Sequence, residues 1–203
     1  EWPQGESDGT GIFEIPLPPQ QGRTFPTVCS WSQAGDSLLV GFNDGAIRAF
    51  ELDERKWRDD IWSASGPILA LAPHPQSRQF ASGSGDSRIS IWPETNYNSA
   101  PTLTGNWGGF LGLNHNNVCM SPSGDYLFVS SALQVTAFNA QTGSKKWAFE
   151  KSNRGAIAIS PDGQHLAFAS PSEDMVYMLD TSTGAVDFSF EIVFNNSMPT
   201  IAF

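Results

Sequence analysis

Positively charged residues are scarce in this sequence. It has 11 Lys and Arg residues against 21 Asp and Glu residues, which gives a formal net charge of −10. An acidic surface repels phosphate backbones and anionic lipid head groups. The basic residues are also scattered along the chain and do not form one cluster. We therefore predict that neither nucleic acid nor membrane is a partner.

Long apolar runs are also absent. No run approaches the roughly 20 residues that a helix needs to cross a bilayer. Residues 1–4, which read Glu-Trp-Pro-Gln, have neither the basic stretch nor the apolar stretch of a signal peptide. They also lack an initiator Met, so we expect this chain to begin inside a longer polypeptide.

Nucleophilic and metal-ligating side chains are few. The two cysteines, Cys29 and Cys119, lie far apart on predicted strands, and we expect both to be buried free thiols. A disulfide between them is the alternative, and free thiols favour a reducing compartment such as the cytoplasm. The histidines, His74, His115 and His165, lack the spacing of a zinc site. We predict no catalytic residue, no metal site and no cofactor.

What the sequence does contain is a repeated hairpin. Residues 79–92 read as two short strands around a Gly85-Asp86 turn, and the second strand alternates Ile with Ser and Trp. An aromatic or Leu residue recurs at the same phase about every 40 residues, which is the period of a four-stranded propeller blade. The recurring residues are Phe13, Phe50, Trp92, Phe138 and Leu179.

Turn residues recur at a second fixed phase. Short apolar strands end in Ser32, Ser121 and Ser160, and Gly and Asp follow before the next strand begins; His74 lies at the same phase in another unit. The inner predicted strands are apolar throughout, so each sheet must be covered on both faces by like neighbours.

We therefore predict an all-β fold, a β-propeller of four-stranded antiparallel blades with about four complete blades and a partial blade at each end. The predicted complete blades are residues 25–66, 67–109, 110–152 and 153–194. Residues 1–24 and 195–203 are predicted to belong to the preceding and following blades.

Residues 84–92 and 160–167 resemble the repeats of WD40 proteins. In that family a turn Asp and a Trp share a hydrogen-bond network, and the resemblance assigns these roles to Asp86 and Trp92. Asp44 and Asp174 match the turn Asp in two other units. The Gly-His and Trp-Asp pairs of the family are missing here, so the network is degenerate. The resemblance implies binding to other proteins without catalysis.

The third unit has a second, weaker resemblance. Residues 137–147, which include Thr142-Gly143 and end in Trp147, are similar to the docking motif of quinoprotein-type propellers. Residues 180–184 repeat the motif without the Trp. This resemblance keeps open a fragment of a quinoprotein-like enzyme, and a sensor propeller attached to a signalling ATPase is a third possibility.

Three tryptophans lie outside the repeating phase, namely Trp57, Trp62 and Trp107. Aromatic residues are enriched at binding hot spots, so we take these three as candidate partner contacts. The alternative is that they cap the outer edge of their own blades. The leading hypothesis is a non-catalytic protein–protein interaction scaffold, a subunit or domain of a larger assembly. We expect a longer chain or a second chain to supply the rest of the ring.

Overall fold

The fold is all-β in the part of the chain that the computed structural model describes. That part comprises residues 15–18, 23–59, 61–94, 103–106, 118–131, 133–151, 156–194 and 201. Within these ranges no helix has the length and apolar character needed to cross a membrane.

Four antiparallel sheets follow one another along the chain, and in each the strands are ordered as in the sequence. Sheet 1 holds β1 (Pro26–Trp31), β2 (Ser37–Phe42), β3 (Ala46–Glu51) and the short outer strands β4 (Lys56–Trp57) and β5 (Trp62–Ser63), which both pair with β3. Sheet 2 holds β6 (Ile68–Pro73), β7 (Gln79–Ser84), β8 (Arg88–Pro93) and β9 (Leu103–Asn106). Sheet 3 holds β10 (Val118–Met120), β11 (Tyr126–Ser130), β12 (Gln134–Asn139) and β13 (Lys145–Glu150). Sheet 4 holds β14 (Ile157–Ile159), β15 (His165–Ser170), β16 (Met175–Asp180) and β17 (Val186–Glu191).

Consecutive sheets stack face to face, and a cluster of buried apolar side chains lies between each pair. Phe80 is fully buried between sheets 1 and 2, and Phe128 and Phe168 are fully buried between sheets 3 and 4. Burial of one such side chain contributes roughly 1.5–3 kcal/mol. The sheets are therefore the blades of a β-propeller, which confirms the predicted fold class.

Sheets 1 and 2 approach each other closely at Gly41. A Cβ atom added to Gly41 would lie 2.4 Å from Cγ2 of Ile68 on the first strand of sheet 2. Glycine is required at this position because the two inner strands leave no room for a side chain.

The turn between the first and second strands has one design in sheets 1, 3 and 4. The buried hydroxyls of Ser32, Ser121 and Ser160 each accept a hydrogen bond from the backbone N–H five residues later, at 3.1, 3.0 and 3.0 Å. In sheet 2 the side chain of His74 takes this role, because its Nδ1 accepts from the backbone N–H groups of Gln76 and Ser77 at 3.1 Å.

Cys29 contradicts the expectation of two buried thiols. Both cysteines are free, but Cys29 on β1 is exposed and Cys119 on β10 is partly buried. Cys119 packs against sheet 4, as part of the cluster between sheets 3 and 4. Cys29 is on the first strand of sheet 1, whose other face no preceding sheet covers within the described residues. The two thiols therefore differ in exposure because a neighbouring sheet covers one and not the other, and local sequence does not reveal which strand has such a neighbour.

The predicted partial blades fall largely outside the described residues. Of the N-terminal one, residues 15–18, 23 and 24 are described and form no strand; Pro18 is buried and the backbone oxygen of Pro16 accepts a hydrogen bond from Nε1 of Trp57 at 2.7 Å. Of the C-terminal one, Ile201 is described, and it packs against Ala169, Val176 and Phe194.

Candidate protein-interaction surface

Trp62, predicted as a partner contact, lies inside the propeller. Its side chain is 1% exposed and packs on Phe80 of sheet 2, with ring centroids 5.0 Å apart. Its Nε1 donates a hydrogen bond to the backbone oxygen of Pro93, also in sheet 2, at 3.1 Å. We correct the prediction for this residue: Trp62 joins two neighbouring blades, and its side chain offers almost no surface to a partner.

Trp57 is half-buried at the outer edge of sheet 1. Its ring makes an edge contact with Phe50 at 5.3 Å and a tilted contact with Phe42 at 6.4 Å. Together with the hydrogen bond to Pro16, these contacts are those of a residue that caps its own blade. Trp107, the third tryptophan candidate, lies outside the described residues.

Part of the hydrogen-bond network predicted around Trp92 is present in the structure. The buried indole Nε1 donates to the hydroxyl of Ser82 on the neighbouring strand at 2.8 Å. The carboxylate of Asp86 instead caps its own turn by accepting from the backbone N–H of Arg88 at 3.0 Å. Asp44 caps the corresponding turn of sheet 1 by accepting from the backbone N–H of Ala46 at 3.0 Å. These groups hold the hairpins of sheets 1 and 2 in shape.

Asp174 occupies a different turn position from the one predicted. The residue just before the third strand has a positive φ in three sheets: 90° at Gly45, 66° at Ser87 and 52° at Asp174. Asp174 therefore corresponds to Gly45 and Ser87, because the turn in sheet 4 is one residue longer.

The acidic residue before that position in sheet 4 is Glu173, which the sequence analysis did not identify. It accepts hydrogen bonds from Tyr177 at 2.8 Å and Ser170 at 3.1 Å, and forms an ion pair with Lys151 at 2.9 Å. These bonds hold the pKa of Glu173 below its usual value, and the bond from Lys151 has the largest effect.

The turns between first and second strands form one edge of the stacked sheets, which we call the turn rim (residues 32–36, 74–78, 121–125 and 160–164). Side-chain amides join neighbouring turns: Nε2 of Gln33 donates to the backbone oxygen of Pro75 at 3.4 Å, and Nε2 of Gln76 donates to that of Pro122 at 3.1 Å. The rim is therefore held together across three sheets. No local sequence pattern signals these bonds, because each joins segments more than 40 residues apart.

Three of the four formally charged side chains on the turn rim are carboxylates, and the fourth is that of Arg78. Asp36 pairs with Arg78 of the next sheet at 3.3 Å, while Asp125 and Asp162 are exposed. Hydrogen bonds from Ser32 and Ser160 lower the pKa values of Asp36 and Asp162, respectively. These two groups therefore keep their negative charge to a lower pH than an ordinary Asp side chain does.

A polar crevice opens between sheets 1 and 2 beside the turn rim. Glu94 in its wall is only 6% exposed, and one carboxylate oxygen accepts from the backbone N–H of Gln33 at 3.2 Å. Burial raises the pKa of Glu94, and the nearby Arg78 and Arg58 oppose that rise. The crevice is lined by Asp36, Ser37, Leu39, Ala49, Arg58, Trp62, Arg78 and Glu94.

The Thr-Gly motif forms a docking contact between sheets 3 and 4. Nε1 of Trp147 donates to the backbone oxygen of Thr181 at 2.9 Å, and the indole lies directly against Gly184. Trp147 thus contacts the turn of the following blade.

The histidines described do not converge. His74 supports its own turn, and Nδ1 of His165 lies 3.0 Å from a carboxylate oxygen of Asp187 on the outer strand of sheet 4. His115 lies outside the described residues. Within the described ranges, no group of three His, Cys, Asp or Glu side chains could hold a metal ion.

Comparison with known proteins agrees with this architecture. The family model described as "WD domain, G-beta repeat" matches residues 60–93, which contain β5 to β8. A chain of the structure titled "Crystal Structure of Mitotic Checkpoint Complex" aligns with a TM-score of 0.72 and 15% identity, over 85% of this chain and 54% of that one. This chain therefore spans about half the length of that solved chain. No curated protein matches the sequence.

The fold and the stacked sheets define the class of the protein as a β-propeller. The sequence match within sheets 1 and 2 then shows a WD40 repeat, so the predicted resemblance to WD40-type propellers is confirmed. At 15% identity, the likeness to the solved chain shows the fold alone.

Proposed function

We propose that this protein is a non-catalytic protein-interaction scaffold that binds a basic surface of its partner through the turn rim. The observation that carries the proposal is the pair of cross-sheet hydrogen bonds from Gln33 and Gln76, which join three turns into one edge. A surface ordered before binding loses less conformational freedom when a partner docks. WD40-type propellers commonly serve as scaffolds, and the chain of similar fold comes from a structure of a complex.

The electrostatics of the rim specify the kind of partner. Exposed Asp125 and Asp162 and the overall charge of −10 favour a protein surface rich in Lys and Arg. Charged groups at the rim of an interface mainly set the association rate and its dependence on salt. We therefore expect partner binding to weaken as the salt concentration rises.

A pair of charge reversals in sheet 3 tests the proposal. Asp125→Lys places a positive charge on the turn rim, and Glu150→Lys places one at the opposite edge of the same sheet. Both residues are exposed, so both variants should fold and carry the same net charge. Proteins that bind the wild type should be recovered in smaller amounts with Asp125→Lys and in unchanged amounts with Glu150→Lys. Equal recovery with the two variants would assign binding to another surface.

The contact of Trp147 with Gly184 favours a second candidate, a fragment of a quinoprotein-like propeller enzyme. It is the weaker candidate because the contact joins two blades and contains no reacting group. Purified protein that shows quinone absorbance, or an activity that depends on added quinone and Ca²⁺, would support the enzyme. Protein without either property would leave the scaffold as the better account.

A further inference from the structure

The turn of sheet 2 at residues 74–78 is joined to the turns on both sides of it. The backbone oxygen of Pro75 accepts a hydrogen bond from Gln33 of sheet 1. The side chain of Gln76 donates to the backbone oxygen of Pro122 in sheet 3. Both amide bonds that connect the turn rim therefore involve this one turn, so the shape of the turn decides whether the rim is continuous.

His74 determines the shape of this turn. Its Nδ1 accepts hydrogen bonds from the backbone N–H groups of Gln76 and Ser77, both at 3.1 Å. A ring nitrogen that accepts carries no proton, so the proton of the neutral imidazole is on Nε2. The equivalent turns of sheets 1, 3 and 4 use serine hydroxyls, which do not change their charge with pH. The turn of sheet 2 thus differs from the other three in resting on a group that titrates.

The same imidazole also packs against sheet 3. A Cβ atom added to Gly124 would lie 2.1 Å from Cε1 and 2.3 Å from Nε2 of the His74 ring. The ring is in addition hydrogen-bonded to the backbone of Gly124. It therefore fills the space between the turns of sheets 2 and 3 and cannot turn Nδ1 away from its own turn without leaving sheet 3.

The surroundings of His74 favour the neutral ring. Burial has the largest effect and lowers the pKa of His74 below its usual value of 6.5. Asp125 of sheet 3 and the hydrogen bond to Gly124 oppose that effect, and Arg78 on the turn itself is paired with Asp36 of sheet 1. Since the folded pKa lies below the unfolded value, the neutral ring stabilises the fold above about pH 6.5. This contribution is lost as the pH falls through the folded pKa.

We propose that His74 is a pH-dependent switch of the turn rim, which opens the turn of sheet 2 when Nδ1 takes up a proton. The added proton converts Nδ1 from an acceptor into a donor, and the resulting N–H faces the N–H groups of Gln76 and Ser77. Donors cannot bind one another, so both bonds break. Gln76 lies in the opened turn, and its bond to Pro122 is lost with it.

Asn139 in sheet 3 provides a matched replacement for the histidine. Its Oδ1 accepts from the backbone N–H groups of Gln141 and Thr142, two and three residues later, at 3.0 and 2.8 Å. These are the positions that His74 binds in its own turn. His74→Asn should therefore keep the two backbone bonds and remove the group that titrates.

Nuclear magnetic resonance of the full chain tests the proposal between about pH 8 and about pH 5. The ring nitrogen shifts of His74 report which nitrogen carries the proton, and amide exchange reports the protection of Gln76 and Ser77. We expect a neutral ring protonated on Nε2, which charges below pH 6.5 while both amides lose protection. Linkage requires that protonation raise the opening constant of the turn about tenfold for each pH unit by which the pKa of His74 lies below that of an exposed histidine. The amides of Gln141 and Thr142 should keep their protection.

In His74→Asn, Gln76 and Ser77 should stay protected throughout this pH range. The proposal is wrong if the neutral ring carries its proton on Nδ1, if the ring charges at or above pH 6.5, or if the two amides keep their protection while the ring charges. An equal loss of protection in His74→Asn and the wild type would also overturn it. The ring shifts are measured on the wild type, so they decide even if the variant does not fold. None of these measurements needs a partner, and the switch can therefore fail or succeed independently of the function proposed for the rim.

Discussion

Trp147 in sheet 3 and Gly184 in sheet 4 are in such close contact that no side chain fits between them. A Cβ atom added to Gly184 would lie 2.6 Å from Cδ2 of the indole, and the φ of Gly184 is 74°. The same indole donates a hydrogen bond to the backbone of Thr181 in that turn. The contact thus depends on glycine for two separate reasons, conformation and space.

These two reasons can be separated by two alanine substitutions. Gly184→Ala should incur the left-handed backbone cost of about 1–2 kcal/mol and, in addition, about 1–3 kcal/mol of overlap with Trp147. Gly35→Ala is the matched control, because Gly35 has a φ of 71° and nothing within 4 Å of its added Cβ. Urea unfolding measures both free energies. Equal losses of unfolding free energy in the two variants would show that the Trp147 side chain moves aside at little cost and that its contact with Gly184 stabilises the fold little.

A second prediction concerns the hydrogen bond between Ser82 and Trp92. Both residues are buried, so Ser82→Ala leaves the indole N–H without its partner and should cost about 1–3 kcal/mol. In a Trp92→Phe background no indole N–H remains, and Ser82→Ala should cost about 1 kcal/mol less than in the wild type. A double-mutant cycle on the free energy of unfolding measures this difference. A coupling energy of zero would contradict the bond.

The hairpin that contains Ser82 and Trp92 could be predicted because its signals are local. Strand alternation, the Gly85-Asp86 turn and the period of about 40 residues all lie in the sequence itself. The burial of Trp62 and the exposure of Cys29 could not be predicted in this way, since each depends on whether a neighbouring sheet is present. The bond from Gln33 to Pro75 likewise joins two turns with no shared pattern.

The misplacement of Asp174 has a different physical cause. Its identity matched the turn Asp of other units, but one additional residue in the turn moved it to the position with positive φ. Asp tolerates that conformation better than most side chains, so the sequence was compatible with both placements. Turn length, and not residue type, decided between them.

The third prediction is a loss of stability in acid that depends on Asp180. Hydrogen bonds from Ser182 and Thr183 lower the pKa of Asp180 to about 2. Since the folded pKa lies below the unfolded value, the ionised carboxylate stabilises the fold above about pH 4, and this contribution is lost as the pH falls toward 2. Asp180→Asn should therefore lower the melting temperature at pH 7.

The difference between wild type and Asp180→Asn should shrink below pH 4 and disappear near pH 2. Melting temperatures recorded from pH 7 to pH 2 measure it. Asp53→Asn removes a charge from an exposed turn residue and serves as the control, with little effect on the melting temperature. A difference for Asp180→Asn that stays constant over this range would exclude the charge as its origin.

The fourth prediction has the opposite sign and concerns Glu94. Burial raises the pKa of Glu94 above its value in the unfolded chain, so the fold disfavours the ionised carboxylate. The folded state therefore gains stability as the pH falls from above the folded pKa to the unfolded pKa. Glu94→Gln resembles the protonated carboxyl and can still accept from the backbone N–H of Gln33. The variant should melt at a higher temperature than the wild type at pH 7 and at the same temperature below about pH 4. A lower melting temperature at pH 7 would mean that Arg58 and Arg78 more than compensate for burial of the charge.

The fifth prediction is that the two thiols react at very different rates. Cys29 is exposed, whereas burial raises the pKa of Cys119 to about 12. Because the thiolate is the nucleophile, roughly one Cys119 in ten thousand is reactive at pH 8. A disulfide reagent such as Ellman's reagent should therefore label one thiol rapidly in the native chain and the second only after unfolding. Cys29→Ser should abolish the rapid phase and Cys119→Ser should leave it intact. The reverse assignment would show that the packing of β10 against sheet 4 does not protect Cys119.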